Sequence, residues 1–196
     1  MNIDLREKTL SGYDEHLKEE LKKHWNDGPE GGFGQYNVLS HLSTYFNNDV
    51  IVDIGTGHQA ISARALSYNK TNMVYSYDTE FNNIAKDHID GLENVEYNVF
   101  NPIKDHKDRE LMLSSSLISL DVDPHDGNQE REFYCFFVDN DWKGIIVCDD
   151  IKIGPHDGMK WIWESVDKPK YDITDTIYSH HTGTGIICFD NQEIML

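Results

Sequence analysis

The sequence predicts an α/β fold, with a mostly parallel seven-stranded sheet, helices on both faces and an antiparallel hairpin near the C-terminus. Three observations support this. Apolar segments of strand length alternate with helix-like segments from Val50 onward, a glycine turn follows the first segment, and two late apolar segments flank a turn. A chain of 196 residues is long enough for one such domain, so we expect a single domain over residues 1–196.

Strands and helices alternate through the core, which we place at residues 37–196. Short apolar runs predict seven strands, at Val50–Ile54, Asn72–Tyr77, Val95–Phe100, Leu117–Leu120, Gly144–Cys148, Tyr171–Tyr178 and Gly185–Phe189. Helices are predicted at Val38–Phe46, Ala60–Tyr68, Glu80–Asp90, Asp105–Ser114, Asn128–Val138 and Gly158–Val166. The turn S-H-H-T-G-T joins the last two strands and predicts the hairpin.

Residues 1–36 precede this core. Apolar residues spaced along one helical face predict an amphipathic helix within residues 1–26, at Leu10, Tyr13, Leu17, Leu21 and Trp25. The glycine-rich segment Asn26–Tyr36 predicts a loop. We interpret the two as a lid over a ligand, with a plain connector as the alternative, and we expect Gln35 to bind the cofactor.

Composition limits the partners. The formal charge of −18 repels phosphate backbones and anionic lipid, so nucleic acid and membranes are not expected, whereas divalent cations are natural counter-ligands. The chain has no run of 18 apolar residues and its charged N-terminus is unlike a signal peptide, so we expect a cytoplasmic protein. Three cysteines in apolar runs predict buried, reduced thiols, at Cys135, Cys148 and Cys188.

The stretch V-I-V-D-I-G-T-G-H-Q-A reads as a strand, a glycine turn and the start of a helix. Gly55 and Gly57 permit a tight turn, and a helix N-terminus offers N–H groups to a nucleotide-like ligand. Asp78 follows 21 residues after Gly57, where an acidic residue can bind two ribose hydroxyls. This layout serves two classes of cofactor.

The pattern G-x-G-x-x-A, ending at Ala60, fits a nicotinamide-dependent oxidoreductase. Asp53 argues against that class, because its carboxylate would repel a pyrophosphate and attract a cationic cofactor with an amino-acid tail. We therefore favour S-adenosylmethionine.

The motif D-I-G-T-G resembles the first motif of the class I methyltransferases, an acidic residue followed by G-x-G-x-G, and departs from it at Gln59. The resemblance implies a Rossmann-like fold with S-adenosylmethionine as cofactor. It also implies that Asp53, Gly55 and Gly57 surround the methionine moiety and that Asp78 binds the ribose.

Two later strands end in carboxylates. L-I-S-L runs into D-V-D-P-H-D, and G-I-I-V-C runs into D-D-I. Adjacent parallel strands would bring these groups together, where they would require a cation such as Mg²⁺, Mn²⁺ or Ca²⁺. The alternative is that each Asp starts a turn or caps a helix. We expect metal ligands at Asp121, Asp123, Asp149 and Asp150, and we also place Asp121 beside the cofactor.

This arrangement resembles the metal-dependent O-methyltransferases of the catechol, caffeoyl-coenzyme A and macrolide-sugar types. The resemblance implies that Asp121, Asp149 and Asp150 hold Mg²⁺ against a vicinal diol, with Asp123 as the alternative to Asp121. Pro124 stands where the catechol type has a lysine base.

An alcohol is a poor nucleophile until its proton is lost, so the site still needs a base. His125 and Asp123 are candidates within the cluster, together with Asp121. Histidine titrates near neutral pH, although a His after a Pro is as often a turn residue.

The segments W-K-G-I-I-V-C-D-D-I, M-K-W-I-W and S-H-H-T-G-T-G resemble small methyltransferase domains of glycan-building proteins, including those of large DNA viruses. The resemblance implies a sugar acceptor, often a deoxyhexose such as rhamnose, an association with glycosyltransferase domains, and the host cytoplasm if the chain is viral. His180, His181 and Thr182 would approach the acceptor, His181 as a catalytic residue. We expect Trp161 and Trp163 to pack in the core rather than to stack on a sugar.

Three classes of function therefore remain open. The leading one is a divalent-metal-dependent O-methyltransferase acting on a vicinal diol of a sugar. The others are a nicotinamide-dependent oxidoreductase and a non-catalytic cofactor-binding module. A homodimer is possible, but no apolar stripe argues for it.

Overall fold

The computed structural model describes residues 1–5, 13, 33–153, 158–176 and 181–196. Seven strands form its main sheet: β2 (Val50–Ile54), β3 (Met73–Asp78), β4 (Val95–Val99), β5 (Leu117–Leu120), β6 (Ile145–Cys148), β7 (Lys170–Asp172) and β8 (Gly185–Cys188). Their order is β4-β3-β2-β5-β6-β8-β7. The strands from β4 to β6 pair in parallel, while β8 is antiparallel to β6 and to β7, which confirms the predicted fold class.

Six α-helices accompany the strands in the described part of the chain: α1 (Phe33–Ser43), α2 (Ile61–Leu66), α3 (Asn83–Ile89), α4 (His106–Ser114), α5 (Asn128–Asp139) and α6 (Gly158–Ser165). Five of them agree with the predicted helices to within three residues at each end. The first differs, because α1 already begins at Phe33, inside the segment predicted to be a loop. Gln35 and Tyr36 are therefore helical.

The N-terminal residues give a second correction. Residues 2–4, placed in a helix by the sequence, form a short strand β1 (Asn2–Asp4) that pairs in parallel with β9 (Glu193–Met195). Apart from residues 1–5 and Tyr13, the segment predicted as an amphipathic helix up to Trp25 lies outside the described residues. Tyr13 contributes a hydroxyl that lies 2.8 Å from Nδ1 of His41 on α1.

Alternate residues of the central strands bury opposite faces of the sheet. On one face, Val52 and Leu120 pack against α5 through Phe133 and Phe137. On the other face, strand residues pack against α1 and α2 through Val38, Leu39, Leu42, Ala65 and Leu66. Both faces are covered, as a parallel sheet requires.

The strand order reverses between β2 and β5, because β3 and β4 lie on one side of β2 while β5 and β6 lie on the other. In open α/β sheets, ligands bind beyond the carboxyl ends of the strands at such a reversal. In the described chain, no helix combines the length and apolar character needed to cross a membrane.

The cysteines depart from expectation at one position. All three are free thiols, and Cys148 and Cys188 are buried in strands as predicted. Cys135 is exposed, because it lies on the outer face of α5 rather than in a strand.

Candidate functional site

A cavity of about 170 Å³ opens at the reversal point, beyond the ends of β2, β3 and β5. Five of its lining residues were predicted from the sequence: Gly55, Gly57, Asp78, Asp121 and Asp123. The cavity therefore joins the glycine turn to the first carboxylate cluster.

The glycine turn is constrained by the backbone of the next strand. Gly55 has φ +94°, and a Cβ built on it would lie 1.6 Å from the carbonyl oxygen of Asp121. Gly57 has φ +62° and faces open space, with no atom within 4 Å of the equivalent position. A side chain is thus excluded at Gly55 by contact with the backbone that follows β5, whereas at Gly57 glycine is favoured by conformation alone.

Asp78 is held at the end of β3 by the glycine turn. Its Oδ2 accepts a hydrogen bond from the backbone N–H of Gly57 at 3.0 Å, and its Oδ1 accepts one from Glu80 at 3.2 Å. Each carboxylate oxygen has a further lone pair. The carboxylate is therefore fixed in the cavity wall and can still accept hydrogen bonds from a ligand.

Asp53 lies beneath the turn and does not line the cavity, although direct contact with the cofactor was expected. It is fully buried, and its Oδ2 accepts a 2.7 Å hydrogen bond from Ser76 on the neighbouring strand. Burial raises its pKa to about 7, the hydrogen bond from Ser76 opposes this, and the charge of Asp78 raises the pKa further. The physical reason for its position is strand alternation, which turns Asp53 toward α2.

Several lining residues were not identified from the sequence: Ile54, Tyr77, Thr79, Phe100, Asn101, Pro102, Val122, Gln129 and Phe133. Phe100, Asn101 and Pro102 follow β4, so the rule that ligands meet the carboxyl ends of strands could have found them. Gln129 and Phe133 are one helical turn apart on α5, and the Nε2 of Gln129 donates to the carbonyl of Asp123 at 2.9 Å.

The carboxylates that follow β5 and β6 lie close enough to affect one another. Burial raises the pKa of Asp121 well above its ordinary value, and the charges of Asp149, Asp150, Asp53 and Asp123 raise it further. The structure thus brings the two predicted clusters together at the same edge of the sheet.

Helix α1 contributes polar side chains to this edge. With its amide oriented to donate, Nε2 of Gln35 lies 3.1 Å from each carboxylate oxygen of Asp149. Gln35 was predicted to bind the cofactor, but it does not line the cavity. Burial raises the pKa of the neighbouring Tyr36, and the charges of Asp121 and Asp149 add to the effect.

His125 lies among three carboxylates. Its Nε2 is 3.0 Å from Asp150 and 3.3 Å from Asp123, and its Nδ1 is 3.9 Å from Glu130. The backbone of His125 is left-handed, with φ +54°. The side chain is 20% exposed, so the ring is held by acidic partners while one edge remains accessible.

The metal ligands predicted from the sequence are near one another, but they do not form a ready-made site. Among the residues the structure describes, no group of three His, Cys, Asp or Glu side chains has an arrangement that could hold a metal ion. His125 and Gln35 instead supply hydrogen-bonding partners to Asp150 and Asp149.

The C-terminal residues predicted for the acceptor side are only partly described. His181 is exposed on the turn before β8, and the carbonyl of its neighbour Thr182 accepts a 2.8 Å hydrogen bond from the N–H of Lys152. His181 therefore lies near the segment that follows Asp150. His180 lies outside the described residues.

The two tryptophans of α6 differ. Trp163 packs over the backbone of β8, where a Cβ on Gly185 would lie 2.5 Å from the ring, in accordance with the expected core role. Trp161 is 57% exposed, so the expected core role is wrong for this residue. The cause is its orientation on α6, where Met159 and Ile162 supply the buried face.

The sequence matches no protein-family model and no curated protein. Solved structures do match. A proposed caffeoyl-CoA O-methyltransferase from Staphylococcus aureus is 12% identical, with a TM-score of 0.63 over 93% of this chain and 98% of the other. The O-methyltransferase from Bacillus cereus, solved with S-adenosylhomocysteine, is 13% identical, with a TM-score of 0.58 over 91% of this chain and 90% of the other.

A third similar structure is the O-methyltransferase TomG from Streptomyces achromogenes, involved in tomaymycin synthesis and solved with S-adenosylmethionine. It is 13% identical, with a TM-score of 0.55 over 93% of this chain and 89% of the other. At these identities the likeness establishes the fold. The chain has the class I methyltransferase fold, with its parallel sheet and its antiparallel C-terminal strands.

Proposed function

We propose that this protein is an S-adenosylmethionine-dependent O-methyltransferase. The observation that carries the proposal is the cavity at the strand reversal, where the Gly55–Gly57 turn fixes Asp78 and where Asp121 also lines the wall. The similar structures from Bacillus cereus and Streptomyces achromogenes contain S-adenosylhomocysteine and S-adenosylmethionine.

The charge of the cavity favours a sulfonium cofactor over a dinucleotide. Asp78, Asp121 and Asp123 all line it. A pyrophosphate would face these carboxylates and be repelled, whereas a sulfonium and an ammonium group would be attracted. In our proposal Asp78 accepts hydrogen bonds from the ribose hydroxyls, and Phe100 and Pro102 contact the adenine.

The reaction is the transfer of a methyl group to an oxygen by in-line attack, in which the acceptor O–H bond breaks and the C–S bond is replaced by a C–O bond. We assign the proton to the carboxylate of Asp123, which lines the cavity and lies 3.3 Å from Nε2 of His125. Nε2 of His125 is also 3.0 Å from Asp150, so its N–H donates to these carboxylates and helps to hold Asp123 in position.

We further propose that a divalent cation, Mg²⁺ or else Mn²⁺ or Ca²⁺, assists this reaction. Because these carboxylates are not arranged as a metal site in the structure, Asp121, Asp149 and Asp150 would hold it only after their side chains turn toward one another, with Asp123 as the alternative to Asp121. The support is electrostatic, because these carboxylates raise the pKa of Asp121 and a cation would relieve their repulsion. A bound cation supplies Lewis acidity, which lowers the pKa of a chelated diol.

For the acceptor we propose a vicinal diol of a sugar, such as a deoxyhexose. The support is the resemblance of the C-terminal motifs to glycan-modifying methyltransferase domains. The same resemblance supports an association with glycosyltransferase domains.

Calorimetric titration separates these proposals. We expect S-adenosylhomocysteine to bind and NAD⁺ not to bind; binding of NAD⁺ alone would refute the leading proposal.

An activity assay tests the metal. Methyl transfer to a diol should increase with Mg²⁺ and be lost in EDTA. The double variant Asp149→Ala, Asp150→Ala should lose this stimulation yet bind S-adenosylhomocysteine, and full activity of the wild type in EDTA would exclude the metal.

A further inference from the structure

A second, open cavity of about 370 Å³ lies beside the carboxylate edge, between the first turns of α5 and α6. Its lining residues are Asp126, Gly127, Asn128, Arg131, Gly158, Trp161 and Ile162, and we call it the α5/α6 groove. Its volume is within the range of roughly 300–1,000 Å³ that is typical of small-molecule sites.

Two glycines bring the helices together at the groove. A Cβ on Gly158 would lie 2.1 Å from the carbonyl oxygen of Asp126, and one on Gly127 would lie 2.7 Å from the carbonyl oxygen of Gly158. The two backbones therefore approach closely at these glycines, with the side chain of Ile162 beside Gly127. The floor of the groove is backbone, and its walls are the side chains one turn further along each helix.

Trp161 forms one wall and is 57% exposed. Its described neighbour is Arg131, whose guanidinium carbon lies 5.8 Å from the ring centroid. The exposed indole presents an aromatic face on which the ring of a ligand can stack. In the same helix Trp163 packs against the sheet, so the exposure is specific to position 161.

The rim of the groove is polar. Both carboxylate oxygens of Asp126 accept hydrogen bonds from Asn128, one from the backbone and one from the side chain, each at 2.9 Å. Arg131 brings five N–H donors, and within the described part of the chain it forms no ion pair. The groove thus combines one aromatic face with fixed donors and acceptors.

This combination matches the chemistry of a pyranose. A sugar ring has a face of polarised C–H groups, which suits the negative face of an indole, and a rim of hydroxyls that both donate and accept hydrogen bonds. A neutral saccharide suits the rim better than a charged one, because Arg131 and Asp126 contribute opposite charges.

The groove is connected to the reaction site through α5. Asn128 and Arg131, three residues apart, face the groove, while Gln129 and Phe133, four residues apart, line the cofactor cavity. His125 precedes Gly127 by two residues. The groove therefore lies beside the segment that carries His125, so a second sugar unit bound there would adjoin the proposed reaction site.

We propose that the α5/α6 groove binds the neutral sugar unit next to the one that is methylated, with its ring stacked on Trp161. This inference rests on the proposed methyl transfer to a sugar, which it extends from one saccharide unit to two.

The direct test is binding without cofactor. A dirhamnoside should quench the tryptophan fluorescence of the full chain, methyl α-rhamnoside should do so more weakly, and glucuronic acid least. The quench should disappear in Trp161→Phe and persist in Ile84→Ala, a control that removes a side chain 55% exposed on α3. A quench unchanged in Trp161→Phe, or none with either rhamnoside, would overturn the proposal.

The kinetic test separates this inference from the proposed function. In Trp161→Ala the KM for the dirhamnoside should rise by about two- to twelvefold relative to the KM for catechol, the range that one aromatic contact supplies. If catechol is methylated but the KM for the dirhamnoside does not depend on Trp161, the methyltransferase proposal stands and the groove proposal is refuted. Saccharide binding at Trp161 without methylation of either acceptor leaves the groove standing as a sugar site and refutes the methyltransferase proposal.

Discussion

Replacing Asp53 by Asn should make the protein more stable, and more so as the pH rises. Asp53 is fully buried with a pKa raised to about 7 from 3.8, chiefly by burial. Asn keeps the shape and the oxygen that accepts from Ser76, and its amide can donate to Ser119, the partner of Asp53 on β5. The variant thus removes the ionisation without leaving a cavity.

The direction of the pH dependence follows from when Asp53 loses its proton in the folded and in the unfolded chain. Above pH 3.8 the unfolded chain loses the Asp53 proton while the folded chain retains it up to about pH 7, so unfolding becomes easier through that window. Above pH 7 Asp53 is ionised in both the folded and the unfolded chain, so the free energy of unfolding falls no further on its account. A difference of about 3 pKa units corresponds to about 4 kcal/mol.

The measurable quantity is the stability of Asp53→Asn minus that of the wild type. We expect this difference in the free energy of unfolding to grow by about 2.5 kcal/mol from pH 5 to pH 8. Urea unfolding at both values, followed by circular dichroism, measures it, and the other titrating groups largely cancel between the two proteins.

A difference that is flat with pH would refute the reasoning, because it would mean that Asp53 ionises normally in the folded chain. Ser76→Ala gives an independent check. The hydrogen bond from Ser76 lowers the pKa of Asp53, so its removal should extend the loss of stability to higher pH.

Further variants test the cavity and the carboxylate edge. Gly55→Ala should lower the free energy of unfolding by about 3 kcal/mol or more in urea titrations, because the new Cβ meets the backbone of Asp121; unchanged stability would contradict this contact. Asp78→Ala should weaken binding of S-adenosylhomocysteine by about tenfold or more in calorimetry, since it removes a charged acceptor; an unchanged Kd would exclude the ribose role. Gln35→Leu should lower the unfolding free energy by about 1–3 kcal/mol, because Asp149 loses a donor to both oxygens; a more stable variant would contradict that hydrogen bond.

The parallel core could be predicted because its signals are local. The strand ends Ile54 and Leu120 agree with the structure, since short, mostly apolar runs bounded by turn residues leave few alternatives. The rule that strand ends meet at one edge then placed Asp121 and Asp149 together correctly. These inferences need only the period of the strands and the direction of the sheet.

The remaining features depend on tertiary contacts that no local pattern encodes. The sequence around Gly34 and Gln35 predicts a loop. In the structure these residues are helical, and Gln35 contacts Asp149 at the carboxylate edge. Asp53 was expected to meet the cofactor because it is adjacent to the turn, yet strand alternation turns it toward α2. Trp161 and Trp163 are alike in sequence, and only packing against Gly185 separates them.

In our proposal Asp121 belongs to two sites at once, since it lines the cavity at the strand reversal and its pKa depends on Asp149 and Asp150. A positive ligand in the cavity stabilises its carboxylate form, and that same form attracts a cation at the strand ends. Two ligands that share one ionisable group are coupled reciprocally: each changes the affinity of the other by the same factor. In our proposal, the occupancy of one site therefore alters the affinity of the other: the shared carboxylate favours joint binding, and the repulsion between two positive ligands opposes it.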